Sequence, residues 1–239
     1  MDTARLERNW TSVLGRVGRA AARAGRPPES VRLVAVTKTV PAGAVRALRA
    51  LGARDFGENR VAAGLDKMRD CAFGVGDGPS AVRWHLLGHV QTNKARAALA
   101  FGRLHGVDSV RLVRALERHA AEAALPEKST DVWLEANVSG EASKDGARGD
   151  GIAALAQALR EARFLRWRGL MAMAPLSGDP EASRPVFRAL RAWRDRLSDG
   201  RGDGEPLGLS MGMSGDFEVA VEEGATEVRI GTALWEGVL

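Results

Sequence analysis

The chain has 239 residues, 45% of them hydrophobic and 27% charged, which is enough apolar material for a sizeable core in one large domain or two small ones. A formal charge of +5 and a pI near 10.1 raise nucleic acid as a partner, but the arginines are spread through every predicted helix, and no basic block is interleaved with aromatics; an Arg-rich solvated surface is the better reading, with no nucleic-acid partner. The single cysteine, Cys71, excludes an intramolecular disulfide, no stretch approaches the roughly 18 apolar residues of a membrane span, and the charged start Met1–Trp10 lacks a signal peptide's apolar core, so a cytoplasmic protein that meets no membrane is expected.

An amphipathic helix over about 3–23 opens the chain. The apolar, β-branched run Val31–Thr37, bounded by Pro28 and Pro41, then reads as a buried strand, and Lys38 stands at its end. Further apolar runs at 53–57, 83–88, 104–108, 132–138, 168–173, 207–211 and 226–230 read as strands. Helical patterns near 42–51, 59–70, 91–101, 110–124, 150–162, 181–197 and 215–223 separate them, punctuated by Pro41, Gly52, Gly102, Pro126 and Gly224. Eight strands alternating with helices match a (β/α)8 TIM barrel with an extra N-terminal helix, a doubly wound open sheet being the alternative. No composition shift marks a second domain, so 1–239 reads as one domain, and the Gly-rich stretches 74–80 and 198–206 read as surface loops.

In such a barrel the chemistry sits at the C-terminal strand ends. Lys38 follows the first strand and Glu58-Asn59 the second; His85 and Gly88 end the third, Asp108 the fourth. Asn137 and Ser139 follow the fifth, Met171 and Met173 the sixth, Ser210 the seventh, and Arg229-Ile230-Gly231-Thr232 the eighth. Five of the 35 basic residues are lysines, and only Lys38 directly follows an apolar strand. Burial there would lower its pKa and make the amine a nucleophile toward aldehydes. Leu209–Ser214, with Ser214 placed to cap the next helix, and Val228–Thr232 combine glycine, hydroxyls and a helix start, which suggests a phosphate cradle after strands seven and eight.

A first-strand lysine and a phosphate cradle together describe pyridoxal 5′-phosphate held by Lys38 as a Schiff base, although a phosphorylated sugar would also fit. Arg229 would then lie beside the cofactor ring. A permanently protonated guanidinium facing the pyridine nitrogen keeps that nitrogen unprotonated and weakens the ring as an electron sink.

The segments Val34–Lys38, Phe56–Asn59, Trp84–Lys94, Gly169–Met171, Leu209–Ser214 and Val228–Thr232 resemble those of the pyridoxal phosphate homeostasis proteins (the YggS/PROSC group). The resemblance runs from about residue 5 to 236. It implies a single barrel similar to the N-terminal domain of bacterial alanine racemase that carries or buffers the cofactor in vitamin B6 homeostasis without an established catalytic activity; because such a barrel needs no partner to close, a monomer is expected. Apo-enzymes that use the cofactor are the recipients it implies. Position by position, Lys38 resembles the Schiff-base lysine and Asn59 a residue lining the cofactor near that linkage. Ser210, Gly231 and Thr232 resemble phosphate ligands and Arg229 the ring-nitrogen or phosphate-side partner, while His85 and Met211 resemble pocket walls. Arg60 and Leu234-Trp235-Glu236 depart from the family pattern of an aromatic after Glu-Asn and a C-terminal Ile-Phe-Gly.

The alternative function is an amino-acid racemase or lyase with Lys38 as base. Alanine racemase uses an opposed tyrosine, and this chain has no tyrosine. His85 is of the right type for a second base, but packed beside Trp84 at a strand end it reads as a structural histidine. His85 and His89 lack a third ligand and an intervening glutamate, so no metal is expected. Cys71, without a Cys-x-x-Cys partner, reads as an idle thiol.

Overall fold

The computed structural model describes residues 1–73, 81–141, 145–198 and 206–239; the loop reading of 74–80 and of most of 198–206 therefore lies outside the described residues. Eight parallel strands close in chain order: β1 (Arg32–Val36), β2 (Asp55–Glu58), β3 (Arg83–Leu86), β4 (Gly102–Val107), β5 (Thr130–Glu135), β6 (Leu165–Met171), β7 (Gly208–Ser210) and β8 (Glu227–Ile230). The closure β1–β8, with Ala35 opposite Ile230, decides between the two architectures: the fold is a TIM barrel and not an open sheet.

Strands covered on both sides need apolar residues on both sides, which is why their sequences read as continuous apolar runs. The outer layer is made of α2 (Ala42–Ala50), α3 (Val61–Cys71), α4 (Ala95–Ala98), α5 (Val110–Glu122), α6 (Asp150–Glu161), α7 (Arg184–Ser198), α8 (Phe217–Glu222) and α9 (Thr232–Trp235). The opening helix α1 (Thr3–Arg23) buries Leu6, Val13, Val17, Ala20 and Ala21, a stripe with helical period, and Asp2 caps its start. It lies against α8 through Arg16–Glu218 and Arg23–Glu222 pairs, each 2.8 Å.

Two elements differ from expectation for local reasons. The fifth and sixth strands begin earlier than their apolar runs because polar residues enter the barrel's N-terminal end: Asp131 in β5 accepts from Arg166 and from Arg168 (3.1 Å) in β6. The helix expected over 91–101 is broken into short 3-10 and α turns that end at Gly102, whose φ of 71° stops the helix. The same end of the barrel carries a double hydrogen bond from Arg83 to Asp55 (2.7 and 2.6 Å) and an Arg32–Glu227 pair at 2.9 Å. Paired charged groups thus gather at the N-terminal end.

Candidate functional site

The C-terminal rim gathers the expected residues around the β8–β1 seam. β1 stops at Val36, and Thr37 turns inward: its N–H donates to the Gly57 carbonyl (2.8 Å) and its hydroxyl to Glu58 Oε1 (2.6 Å). The Lys67 ammonium, reaching in from α3, donates to that same carboxylate oxygen at 2.7 Å and to the Thr37 carbonyl. This buried Thr37–Glu58–Lys67 cluster fixes the turn that carries Lys38. Lys38 itself is exposed, so the expectation of a buried, desolvated amine is corrected. The strand ends two residues before it, and Thr37 takes the buried place.

Gly231 sits beside β1: a Cβ added there would lie 3.4 Å from the Val36 Cβ. Barrel closure therefore puts Lys38 and the Gly231-Thr232 turn on neighbouring strand ends. The Ser214 hydroxyl accepts the N–H groups of Gly231 (3.3 Å) and Ala233 (3.2 Å), so two backbone donors already converge on one oxygen. Ser214 does not cap α8 as expected. Asp216 holds that position, accepting the Met213 N–H at 2.7 Å and the Ser183 hydroxyl at 2.9 Å. Gly212 is required at φ 94°, because a Cβ would also come within 2.9 Å of the Phe217 Cα. Asn59 follows β2, half-buried, and its carbonyl packs so closely on Gly88 that a Cβ there would be 2.3 Å away. Thr232 is exposed at the start of α9. Trp235, one of the departures, donates its indole N–H to the Val36 carbonyl at 2.7 Å and so ties α9 to the end of β1.

Below this rim a row of polar side chains crosses the barrel interior. Arg229 donates to the Ser210 hydroxyl (2.7 Å) and to the Ala172 carbonyl (3.0 Å). Ser210 Oγ is 2.8 Å from His105 Nδ1, His105 Nε2 is 2.9 Å from His85 Nδ1, and His85 Nε2 is 3.0 Å from Asp55 Oδ1. Burial, together with His85 and Arg229, holds His105 well below its ordinary value, hence neutral. A neutral imidazole has one N–H and one lone pair, so His105 donates at one ring nitrogen and accepts at the other, and Arg229, Ser210, His105, His85 and Asp55 form one continuous row. Burial lowers Arg229 to about 10, which still leaves it protonated at neutral pH. Burial opposes ionisation of Asp55, but the bonds from Arg83 and His85 prevail and hold it below the usual carboxylate range.

Two of the expected residues lie inside the barrel. Ser210 is fully buried and engaged with Arg229 and His105, whereas the hydroxyl bonded to the turn after β8 belongs to Ser214. His85 is likewise fully buried. His105 and Lys67 are not among the residues that the sequence reading places at the site. Strand period alone places His105 inward, but only the closed barrel shows what it faces.

Among the described residues, ligating atoms of His85, His105 and Glu227 lie within 4.8 Å of one another. The two imidazoles are bonded to each other, and Arg229, Arg103 and Arg32 all act on His105, a setting that disfavours a dication. Glu135, at the end of β5, is pushed up to about 8 by burial and by Asp145 and Asp108, with Arg229 opposing. Asn137 and Ser139 bond within their own loop, and His89 pairs with Asp108 at 2.8 Å, both away from the seam. Cys71 is buried, its thiol pushed up by burial. No described helix is long and apolar enough to cross a membrane.

Residues 2–237 match the family described as alanine racemase, N-terminal domain. The pyridoxal phosphate homeostasis protein of Pseudomonas aeruginosa is 42% identical over 231 residues, covering 96% of this chain and 94% of that one. The Escherichia coli K12 protein of the same name is 37% identical, covering 96% and 95%. PipY of Synechococcus elongatus, solved with pyridoxal phosphate bound, superposes with a TM-score of 0.76 at 36% identity, over 91% of this chain and 99% of that chain. Alanine racemase from Bartonella henselae shares the fold alone, with a TM-score of 0.71 at 14% identity over 98% of this chain and 59% of its own. This closed eight-stranded barrel, matched over residues 2–237 by the family model and over 96% of its length by the two homeostasis proteins, belongs to the pyridoxal phosphate homeostasis protein family, built on the alanine racemase N-terminal fold.

Proposed function

We propose that the protein binds pyridoxal 5′-phosphate at the C-terminal rim and serves in its homeostasis, holding and releasing the cofactor with little or no catalysis of its own. The observation that carries this reading is the β8–β1 seam: an exposed primary amine on one strand end, and on the next a turn whose N–H groups already converge on the Ser214 oxygen. PipY, with the cofactor bound, lends support at 36% identity. Lys38 would hold the aldehyde carbon, and Gly231, Thr232 and Ser214 the phosphate. Asn59 would line the linkage. Arg229, fixed by Ser210 and Ala172, would lie on the ring side and keep a positive charge there. When bound, the cofactor supplies an electrophilic carbonyl and an electron-withdrawing ring.

The chain's own residues favour storage over turnover. Racemisation and cleavage both need a proton donor or acceptor opposite the lysine, and the two interior histidines are buried with both ring nitrogens in hydrogen bonds. An exposed Lys38, held by a rigid turn, suits an amine that must both capture and give up its cargo. Apo-enzymes are the proposed recipients, from a single-domain, monomeric, cytoplasmic protein.

The test is reconstitution with pyridoxal phosphate, borohydride reduction and peptide mapping. The label is expected on Lys38 and is lost in Lys38→Ala, and retention is weaker in Thr232→Ala. Label on another lysine overturns the assignment. Lys38-dependent loss of enantiomeric purity in a panel of L- and D-amino acids would replace the carrier with the racemase or lyase.

A further inference from the structure

Trp235 is tied into the rim at two points. The Gly231 carbonyl accepts the N–H groups of Leu234 (2.9 Å) and Trp235 (3.2 Å), so a single turn of backbone joins Trp235 to the glycine of the phosphate-type turn. Its indole N–H donates to the Val36 carbonyl at 2.7 Å, across 199 positions of chain. The β1–β8 register runs to Ala35 opposite Ile230, and the indole adds a tie one residue further on. One buried residue thus joins the turn after β8 to the end of β1, two positions before Lys38. Trp235 stands where the family pattern has phenylalanine, which offers a ring without an N–H.

The turn is also braced by α1. Asn9 donates its side-chain amide to the carbonyls of Leu234 (3.0 Å) and Glu236 (3.1 Å), and Arg5 Nε donates to the same Glu236 carbonyl (2.9 Å). The last carbonyls of a helical turn have no partner within it, so α1 supplies what α9 lacks. A ligand gripped at both ends is retained according to how firmly the two grips keep their separation, because slack between them has to be frozen out when both engage. A ligand gripped at one end is indifferent to that separation.

We propose that Trp235 is a positioning residue whose indole N–H fixes the span between Lys38 and the Gly231-Thr232 turn, with Asn9 bracing the turn behind it, so that the protein selects a phosphorylated aldehyde over the same aldehyde without phosphate. This role rests on the proposed binding of pyridoxal phosphate across the β8–β1 seam.

Absorbance titration of the unaltered protein and of Trp235→Phe with two aldehydes tests it: pyridoxal phosphate, and its deoxy analogue in which a methyl group replaces the phosphorylated arm. Both can condense with Lys38, but only the first can also reach the turn. Trp235→Phe keeps a ring and deletes the N–H; it is expected to weaken pyridoxal phosphate about fivefold, the worth of one neutral hydrogen bond, and to leave the analogue within about twofold. Asn9→Ala is expected to repeat that pattern. Thermal unfolding verifies that both variants fold, and if Trp235→Phe does not, the same comparison in Asn9→Ala decides. Unchanged affinity for pyridoxal phosphate, or an equal loss for both aldehydes, overturns the proposal; borohydride label on Lys38 of the unaltered protein would then leave the rim reading standing. Absence of that label overturns both.

Discussion

His105 stands in the middle of the interior row of hydrogen bonds. It joins Ser210 to His85, and each neighbour depends on it for a bond that no water can replace inside a packed barrel. His105→Leu leaves the Ser210 hydroxyl and His85 Nδ1 each without this partner. Two orphaned groups predict a loss of about 2–4 kcal/mol in urea unfolding. A loss below about 1 kcal/mol would mean the row is not continuous. Lys38 makes the opposite point about residues. Its place after a strand was legible in sequence, but its exposure was not, because the inward turn of Thr37 depends on Glu58 and Lys67, which lie 21 and 30 positions further along the chain.

Strands six and seven show what an element owes to the absence of a side chain. A Cβ on Gly169 would fall 2.2 Å from the Gly208 carbonyl oxygen, inside the β6–β7 pairing that the two glycines share. Backbone cannot yield as a side-chain tip can. Gly169→Ala should therefore cost about 3 kcal/mol or more, lowering Tm by roughly 6–12 °C for a chain of this size. A shift under about 2 °C would show that β7 moves freely. The sequence signal for β6 was partial for a related reason. Leu165-Arg166-Trp167-Arg168 alternates apolar and charged residues, so a search for continuous apolar runs starts the strand at 168, whereas Asp131 draws the arginines into the sheet from Leu165.

Across the whole molecule the two barrel ends have different characters, laced with paired charges below and hydroxyl-rich above, and Glu135 near the upper end makes stability depend on pH. Its pKa rises from 4.5 to about 8 on folding, with burial as the main cause. Between those values the native state keeps a proton that the unfolded state has released. This contribution to stability is full below about pH 4.5, falls as pH rises toward 8 and is then constant, with a size on the order of a few kcal/mol. Glu135→Gln should flatten that part of the stability profile between pH 5 and pH 8.5 in denaturant titrations. Parallel profiles for the two proteins would show that Glu135 is ionised in the fold.

The amino-acid order by itself determined the alternation of strands and helices, the residues standing at each strand end, and the glycine and hydroxyl pattern of the last two turns, because period and local turn chemistry are properties of neighbours in the chain. Only the tertiary structure decided which strand ends meet. Closure of β8 on β1 brings Gly231 against Val36, and with it Lys38, across almost the full length of the chain. It also sends Ser210 inward to Arg229 and His105 while Ser214 takes the turn, since the two serines differ in depth and not in any local pattern. Barrel register and burial are set by all eight strands together, and no segment read alone carries them.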